Sequence, residues 1–188
     1  MTRAHASTDQ DIPAIAARIT RPVVLVGLMG AGKSTVGRRL AAMLGRDFVD
    51  ADDAIAAAAG RSIPEIFETF GEAYFRDGER RVIARLMDEA HGVIATGGGA
   101  FVDPATRALI LDRGIAVWID CPVETLVERT AKRTNRPLLR NGDPREILTR
   151  LAHERAPFYA EAPIRVLSEN GPHAETARAI LEAIDEWL

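Results

Sequence analysis

Residues Gly27 to Ser34 read GLMGAGKS. Gly27 and Gly32 stand five positions apart and are followed by a lysine and a serine. Glycines let the backbone curl so that successive N–H groups point inward at an anion, and a helix that begins at the same place adds the positive end of its dipole. The octapeptide therefore predicts a phosphate-binding loop that connects a strand to a helix.

The flanking residues supply that strand and that helix. Val23 to Val26 form a short, mostly β-branched run that breaks at Gly27, as a buried parallel strand does. The segment from Ser34 to Leu44 has apolar residues at helical spacing and closes on Gly45, a common end of a helix. A phosphate loop in this context predicts a bound nucleoside triphosphate, ATP or GTP.

Each part of the loop has an expected task in holding that nucleotide. Lys33, which we expect as an exposed loop lysine, reaches the β- and γ-phosphates, and the hydroxyl of Ser34 ligates Mg²⁺. The residues expected to contact the nucleotide here are Gly30, Ala31, Gly32, Lys33, Ser34 and Thr35. A phosphate loop alone does not distinguish a GTPase switch, a motor ATPase, a sulfotransferase-like fold and a small-molecule kinase, so other motifs must decide.

Further strand-like runs alternate with helical patterns along the chain. They are Phe48–Val49, Val93–Ala95, Ile115–Ile119 and Ile164–Leu167. Ser62 with Glu65 three residues later, and Asp143 with Glu146, mark two helix starts. Because strands alternate with helices, the sequence predicts a three-layer α/β fold, in which a five-stranded parallel sheet carries helices on both faces.

Length and composition predict one ordinary globular domain. The chain has 188 residues, of which 47% are apolar and 27% are charged. This composition excludes disordered and fibrous chains. No apolar run approaches the roughly 18 residues that span a bilayer. Cys121 is the only cysteine, which argues against a disulfide-stapled secreted domain. We therefore expect a cytoplasmic protein without a membrane partner.

The charge pattern argues against nucleic acid as a partner. The chain has 24 basic and 27 acidic residues, and the two signs are interspersed. Non-specific binding to a nucleic-acid backbone needs a basic excess on one face. Only Lys33 and Lys132 are lysines, and among so many arginines a single arginine is weak evidence unless a motif supports it.

Two segments are expected to lie outside the rigid core. Residues 1–21 lack the compact apolar block of a secretory signal, and we expect them to form a flexible N-terminal tail ahead of a single domain at 22–188. Within that domain, the segment at about 131–145 holds basic residues with little apolar periodicity, and we expect a mobile lid loop there.

Carboxylates and glycines follow two of the predicted strands. Asp50, Asp52 and Asp53 end the second strand, where side chains face the ligand crevice of such a sheet. On extended backbone Asp50 and Asp52 point the same way, so that one can hold Mg²⁺ through water while the other bonds the hydroxyls of an acceptor. Asp53 is expected to cap the following helix. Gly97 to Gly99 follow the third strand and let a backbone approach a ligand closely.

The order and spacing of these motifs resemble the shikimate kinases, a P-loop family similar to the nucleoside-monophosphate kinases. The resemblance runs from about Val23 to the last helix. Besides the phosphate loop, it rests on Asp50-x-Asp52, Gly71-Glu72-x-x-Phe75-Arg76-x-x-Glu79, Gly97-Gly98-Gly99, Arg136-Pro137-Leu138-Leu139 and Arg155-x-Pro157-x-Tyr159. The resemblance implies a monomeric enzyme that uses ATP and Mg²⁺ to phosphorylate the 3-hydroxyl of shikimate.

On the acceptor side, the resemblance implies a role for each matched residue. Arg76 and Arg155 bind the carboxylate of shikimate, and Asp52 binds the hydroxyl near the attacking oxygen. The backbone of Gly97–Gly99 contacts the substrate, and Glu79 orients the arginines. Shikimate is a small cyclic triol with one carboxylate, so planar cations for the carboxylate and acceptors for the hydroxyls suit it.

On the nucleotide side, the resemblance implies that Asp50 holds Mg²⁺ through water, together with the hydroxyl of Ser34. Arg136 closes over the phosphates, and Arg129 lies beside the adenine ring. Residues 168–171 lack the basic residue that some relatives place near adenine. The expected catalytic residues are Lys33, Asp52 and Arg136.

Two other functions remain open at this point. Gluconate kinase or another small-molecule kinase of the same group shares the phosphate loop but needs a different acceptor pocket, and the pair Arg76 and Arg155 with the triple glycine favours shikimate. A non-catalytic nucleotide-binding relative would be expected to lose its acceptor residues first, whereas Asp52, Arg76 and Arg155 are all present.

Overall fold

All five predicted strands are present, and they pair in parallel. A computed structural model describes residues 11–89, 92–132, 139 and 142–188. The strands are β1 (Val23–Val26), β2 (Phe48–Asp50), β3 (Val93–Ala95), β4 (Ile115–Asp120) and β5 (Ile164–Leu167). Their order across the sheet is β2-β3-β1-β4-β5, which puts the strand of the phosphate loop in the middle. The predicted five-stranded parallel sheet is confirmed.

Helices connect these strands, as the alternating pattern predicts. They are α1 (Ile12–Arg18), α2 (Lys33–Leu44), α3 (Ala51–Ala59), α4 (Ile63–Asp88), α5 (Pro104–Arg113), α6 (Val123–Ala131), α7 (Pro144–Tyr159) and α8 (His173–Trp187). The capping box at the start of α4 is confirmed, with Ser62 N donating to Glu65 Oε2 at 2.7 Å. Asp143 caps α7 as expected. No helix within the described residues is long and apolar enough to cross a membrane.

Helix α4 is longer than the sequence pattern predicts and bends inside. It continues beyond Phe70 to Asp88, and the bend lies at Gly71, whose φ is 81°. Only glycine adopts that backbone conformation without strain. The kink therefore separates the first two turns of α4 from the longer part that follows.

The core is built on the middle of the sheet. All four residues of β1 are completely buried, because β3 and β4 flank it and helices cover both faces. Helix α2 packs against α8, and α4 packs against α5. Ile55, Ile66 and Phe75 form a second, smaller apolar cluster between α3 and α4. Parallel strands all end at the same edge, so the segments that follow β1, β2 and β3 lie side by side.

The expectation of a flexible tail over residues 1–21 is wrong for its second half. Residues 12–18 form α1, and Ile15 and Ile19 are buried in the main core, 3% and 2% exposed. Arg46 donates to the carbonyl oxygens of Ala16 at 2.9 Å and Ile19 at 2.6 Å. The folded unit therefore begins before residue 22. The two isoleucines are buried by the rest of the domain, and Arg46 supplies the hydrogen bonds to the two carbonyl groups.

The predicted lid at about 131–145 falls largely outside the described residues. Helix α6 ends at Ala131 and α7 begins at Pro144, which agrees with the predicted bounds of the segment between them. Residues 133–138, 140 and 141 are not described, and Arg136 is among them. Its expected mobility therefore stays a prediction.

We expect Ile15→Ala to lower the free energy of unfolding by about 2 to 4 kcal/mol, the usual cost of emptying a buried isoleucine site. Ile12→Ala serves as the matched control, since Ile12 is only partly buried on the same helix. Urea denaturation measures both variants. A loss below about 0.5 kcal/mol for Ile15→Ala, the size typical of a surface change, would mean that α1 is not part of the folded core.

Candidate active site

The phosphate loop curls around the ammonium group of Lys33. Nζ donates to the carbonyl oxygens of Gly27 at 2.7 Å and Leu28 at 2.8 Å. Lys33 is the first residue of α2 and is 8% exposed, so the expectation of an exposed loop lysine is wrong. Its burial follows from those two hydrogen bonds, because a buried charge is tolerated only where polar groups compensate it. The loop backbone itself therefore fixes the cation.

Ser34 and Asp50 lie together beside the loop. Ser34 Oγ donates to Asp50 Oδ2 at 2.5 Å, and the other carboxylate oxygen accepts from the backbone N of Asp52 at 3.0 Å. Asp50 is the N-cap of α3, so Asp52 lies in the first helical turn and not on extended backbone. The same contact corrects the expectation that Asp53 is the cap. A hydroxyl and a carboxylate at the phosphate loop fit the oxygen ligands that Mg²⁺ prefers.

The triple glycine touches a different functional side chain at each residue. A Cβ atom on Gly97 would lie 2.8 Å from Asp52 Oδ1, and one on Gly98 would lie 3.3 Å from Arg155 Nη1. A Cβ atom on Gly99 would collide with the guanidinium of Arg76. The three side chains can approach the turn this closely only because the residues are glycines. The turn after β3 therefore brings together three residues that are far apart in the sequence.

The same turn also touches the phosphate loop. A Cβ atom on Gly98 would lie 3.4 Å from the backbone N of Met29. The carbonyl oxygen of Gly98 accepts a hydrogen bond from the Tyr159 hydroxyl at 2.5 Å. Gly98 thus lies between the phosphate loop and the end of α7.

Arg76 is held by a buried acid on its own helix. Its Nη1 lies 2.7 Å from Oε2 of Glu79, which is 1% exposed, and its Nε lies 3.6 Å from the exposed Glu72. Burial raises the pKa of Glu79 to about 7, although the charge and hydrogen bond of Arg76 oppose that shift. The predicted orienting role of Glu79 toward Arg76 agrees with this contact.

Asp52 is partly buried near charges of both signs. Burial and the neighbouring carboxylate of Asp50 raise the pKa of Asp52, while Lys33 and Arg76 act in the opposite direction. A carboxylate whose affinity for a proton is raised in this way suits the acceptance of a proton from a bound hydroxyl.

Arg129 ties α6 to the phosphate loop and to the turn after β5. Its guanidinium donates to the carbonyl oxygens of Ala31 at 3.1 Å and Glu169 at 2.7 Å. The imidazole of His173, the first residue of α8, lies close to Arg129. A Cβ atom on Gly32 would be 3.2 Å from His173 Cε1 and 3.6 Å from Arg129 Nη1. Nδ1 of His173 is buried and has no hydrogen-bond partner among the described residues.

The described structure thus brings the predicted residues together in two groups. Around the phosphate loop lie Gly30, Ala31, Gly32, Lys33, Ser34, Thr35, Asp50 and Arg129, and around the glycine turn lie Asp52, Arg76, Arg155 and the three glycines themselves. Arg136 lies outside the described residues. Sequence reasoning missed His173. The signal was a histidine two residues after the segment 168–171, but a lone histidine at a helix start did not stand out.

Comparison with known proteins agrees with this geometry. A chain from Novosphingobium aromaticivorans named shikimate kinase is 62% identical over 185 residues, which is 96% of this chain and 96% of that protein. One of the same name from Paramagnetospirillum magneticum is 56% identical over 176 residues, 94% of this chain and 90% of that one.

Solved structures of shikimate kinases are also similar to this chain. A shikimate kinase from Acinetobacter baumannii in complex with shikimate has a TM-score of 0.83 at 41% identity, and the match covers 90% of this chain and 96% of that one. A gluconokinase from Sinorhizobium meliloti, at 17% identity and a TM-score of 0.60, shares the fold alone. The sequence profile described as shikimate kinase matches residues 29–185. With most of the chain inside that match and a relative at 62% identity, the chain belongs to the shikimate kinase family.

Proposed function

We propose that this chain transfers the γ-phosphoryl group of ATP to the 3-hydroxyl of shikimate, giving shikimate 3-phosphate and ADP. One observation carries the proposal: three successive glycines lie against Asp52, Arg155 and Arg76, and the middle glycine also lies against the phosphate loop. A carboxylate for hydroxyl groups, two arginines for a carboxylate and the phosphate loop therefore meet at one turn. Family membership supports the same reaction.

The acceptor group fits a polyol with one carboxylate. Arg76 and Arg155 each offer a planar guanidinium that donates two hydrogen bonds to a carboxylate in a fixed geometry. Asp52 offers carboxylate oxygens for hydroxyl groups of the ring. The positive charges of the two arginines attract the negative charge of a bound carboxylate, which suits binding of a small anion.

In the transfer step, Asp52 accepts the proton of the 3-hydroxyl while that oxygen attacks the γ-phosphorus. The bond from the γ-phosphorus to the bridging oxygen breaks, and ADP leaves with that electron pair. The ammonium of Lys33 and the N–H groups at the start of α2 stabilise the charge of the phosphates. Ser34 and Asp50 are the residues that would hold Mg²⁺, which supplies further positive charge to the phosphates when bound. Arg129 is proposed to lie beside adenine.

Three further parts of the proposal rest on the sequence. The lone Cys121 favours a reducing compartment, and we propose the cytoplasm. We propose that the enzyme works as a monomer, as the resemblance to its family implies. Closure of Arg136 over the phosphates is proposed on the same ground.

A coupled assay of ADP release with shikimate, gluconate and nucleoside monophosphates tests the reaction. We expect ATP-dependent turnover with shikimate at least about a hundredfold above that with gluconate, because a site built for particular polar groups rejects acceptors that leave them unpaired. Preference for gluconate would favour the other kinase, and ATP binding without turnover of any acceptor would favour the non-catalytic relative.

For the phosphate loop, we expect Lys33→Met to lower kcat by about a thousandfold or more while the protein stays folded. Methionine keeps most of the side-chain volume in the loop but removes the charge and the two hydrogen bonds to the carbonyl oxygens of Gly27 and Leu28. Arg150→Met, a change of an exposed cation on α7, serves as the control and should leave kcat unchanged. Steady-state kinetics and circular dichroism measure both variants. Turnover of Lys33→Met within a few-fold of the parent would contradict the role of the loop.

For the acceptor carboxylate, we expect Arg76→Lys to raise KM for shikimate by about 10- to 150-fold, equivalent to about 1.5 to 3 kcal/mol, while KM for ATP stays the same. Lysine keeps the charge but loses the planar fork. The change should matter much less for the neutral carboxamide of shikimate, which never used the fork. Arg81→Lys, at an exposed position of the same helix, is the control. Equal losses with both acceptors would show that Arg76 does not bind the carboxylate.

For the acid behind Arg76, we expect a stability difference that depends on pH. The pKa of Glu79 is about 7 in the folded protein, above the ordinary 4.5, so the folded state binds more protons than the unfolded state between these values. The contribution of Glu79 to the free energy of unfolding therefore falls as pH rises from about 4.5 to about 7, and it is constant above that range.

Urea denaturation of the parent and Glu79→Gln at pH 5, 6, 7 and 8 measures this effect. The stability of the parent relative to the variant should fall up to about pH 7. Glu72→Gln, whose side chain is 71% exposed beside the same arginine, serves as the control. A difference between parent and Glu79→Gln that does not change with pH would contradict the raised pKa.

A further inference from the structure

The last turn of α7 carries a buried hydroxyl that no step of the proposed reaction uses. Tyr159 is 1% exposed, and its hydroxyl donates to the carbonyl oxygen of Gly98 at 2.5 Å. The guanidinium of Arg155 lies at the same place, since a Cβ atom on Gly98 would be 3.3 Å from its Nη1, and its charge and hydrogen bonding oppose the rise that burial causes in the pKa of Tyr159. Arg155 and Tyr159 are four residues apart on α7, so they share one helix face. One oxygen atom therefore connects an acceptor arginine with the glycine turn.

The bond to Gly98 sets the direction of a second backbone group. The C=O of Gly98 and the N–H of Gly99 belong to one planar trans peptide unit and point in opposite directions. Ala100 N and Val102 N donate to the carbonyls of Gly97 and Gly99, but no described residue accepts from the N–H of Gly98 or Gly99. Holding the Gly98 carbonyl therefore holds the Gly99 N–H in a fixed direction beside Arg76.

A separate contact already ties the same two segments together. Arg107 donates to the carbonyl oxygens of Phe101 and Val102 at 3.1 and 3.0 Å. It also pairs with Glu161 at 3.1 Å and lies over the ring of Phe158, 5.0 Å from the centroid. The turn and the end of α7 therefore stay joined without the Tyr159 hydroxyl. What the hydroxyl adds is the orientation of one guanidinium and one peptide.

We propose that Tyr159 is a positioning residue, whose hydroxyl holds Arg155 and the Gly98–Gly99 peptide in one fixed arrangement at the acceptor pocket. The proposal rests on the proposed function, because it assigns an orienting role to the pocket that would bind shikimate. In this role Tyr159 acts through Arg155 and the glycine turn and makes no contact of its own with the acceptor.

The ring of Tyr159 also packs in the core, and its test must keep that packing. The ring centroid lies 5.9 Å from that of Trp118. Tyr159→Phe keeps the ring and removes the hydroxyl. The chain has only one other tyrosine, Tyr74, which is 53% exposed, so Tyr74→Phe is a control of the same chemical change.

In steady-state kinetics, we expect Tyr159→Phe to raise KM for shikimate by about five- to twentyfold, as for a lost hydrogen bond that leaves a partly buried carbonyl unpaired. KM for ATP should stay within about twofold, and Tyr74→Phe should match the parent. A purely structural role would lower the melting temperature without separating the two KM values. Unchanged KM values, or equal increases in both, would overturn the proposal.

A second pair of variants tests whether the hydroxyl acts through Arg155. The rise in KM for shikimate should be smaller for Tyr159→Phe in an Arg155→Lys background than in the parent, because the misplaced guanidinium is then already absent. Losses that multiply independently would overturn the connection to Arg155.

An NMR measurement on the protein without substrate tests this proposal independently of the proposed function. In protein labelled with ¹⁵N at glycine and arginine, Tyr159→Phe should shift the amide resonance of Gly99 and the Nε–H resonance of Arg155, whereas Tyr74→Phe should leave both in place. An unshifted pair would overturn the proposal. A parent protein without shikimate turnover would overturn the proposed function, and the two resonances would still decide whether Tyr159 positions these groups.

Discussion

The ammonium group of Lys33, held by the carbonyl oxygens of Gly27 and Leu28, is the contact on which the site depends. A charge at 8% exposure needs polar partners, and here they are backbone atoms of the loop itself. Carbonyls that turn toward the lysine leave N–H groups for phosphate on the other side of the curl. The loop keeps this shape because β1, which leads into it, is completely buried between two strands.

On the acceptor side, the close contacts depend on the absence of side chains at three glycines. Gly97, Gly98 and Gly99 lack the Cβ atoms that would push away Asp52, Arg155 and Arg76. One acid and two arginines can then lie at one turn. The price is electrostatic, since burial raises the pKa of both Asp52 and Glu79 above their ordinary values. A weakened preference for the ionised form is what a proton acceptor needs at Asp52, and at Glu79 it follows from burial behind Arg76.

The sequence pattern predicted those elements that are determined by residues close to one another in the sequence. The phosphate loop, the strand before it and the capping box at Ser62 each depend on residues close in sequence, and all are confirmed. The burial of α1 depends on Arg46 and on the main core, which seven helical residues cannot reveal, since a helix that short is not stable alone. Asp52 was expected on extended backbone because no turn residue marks the start of α3, which follows β2 directly.

The bend at Gly71 has a consequence for how the protein opens. The first turns of α4 and Phe75, which lies just beyond the bend, pack with α3 around Ile55 and Ile66, and this cluster is separate from the main core. Such a unit can unfold locally at a lower free energy than the sheet. The ring of Phe75 lies under the guanidinium of Arg76, 5.1 Å from its centroid, so a loosened cluster disturbs the arginine above it. Thermodynamic linkage makes this reciprocal: a ligand that needs Arg76 in place also protects α3 from opening, and its affinity includes the cost of ordering that helix.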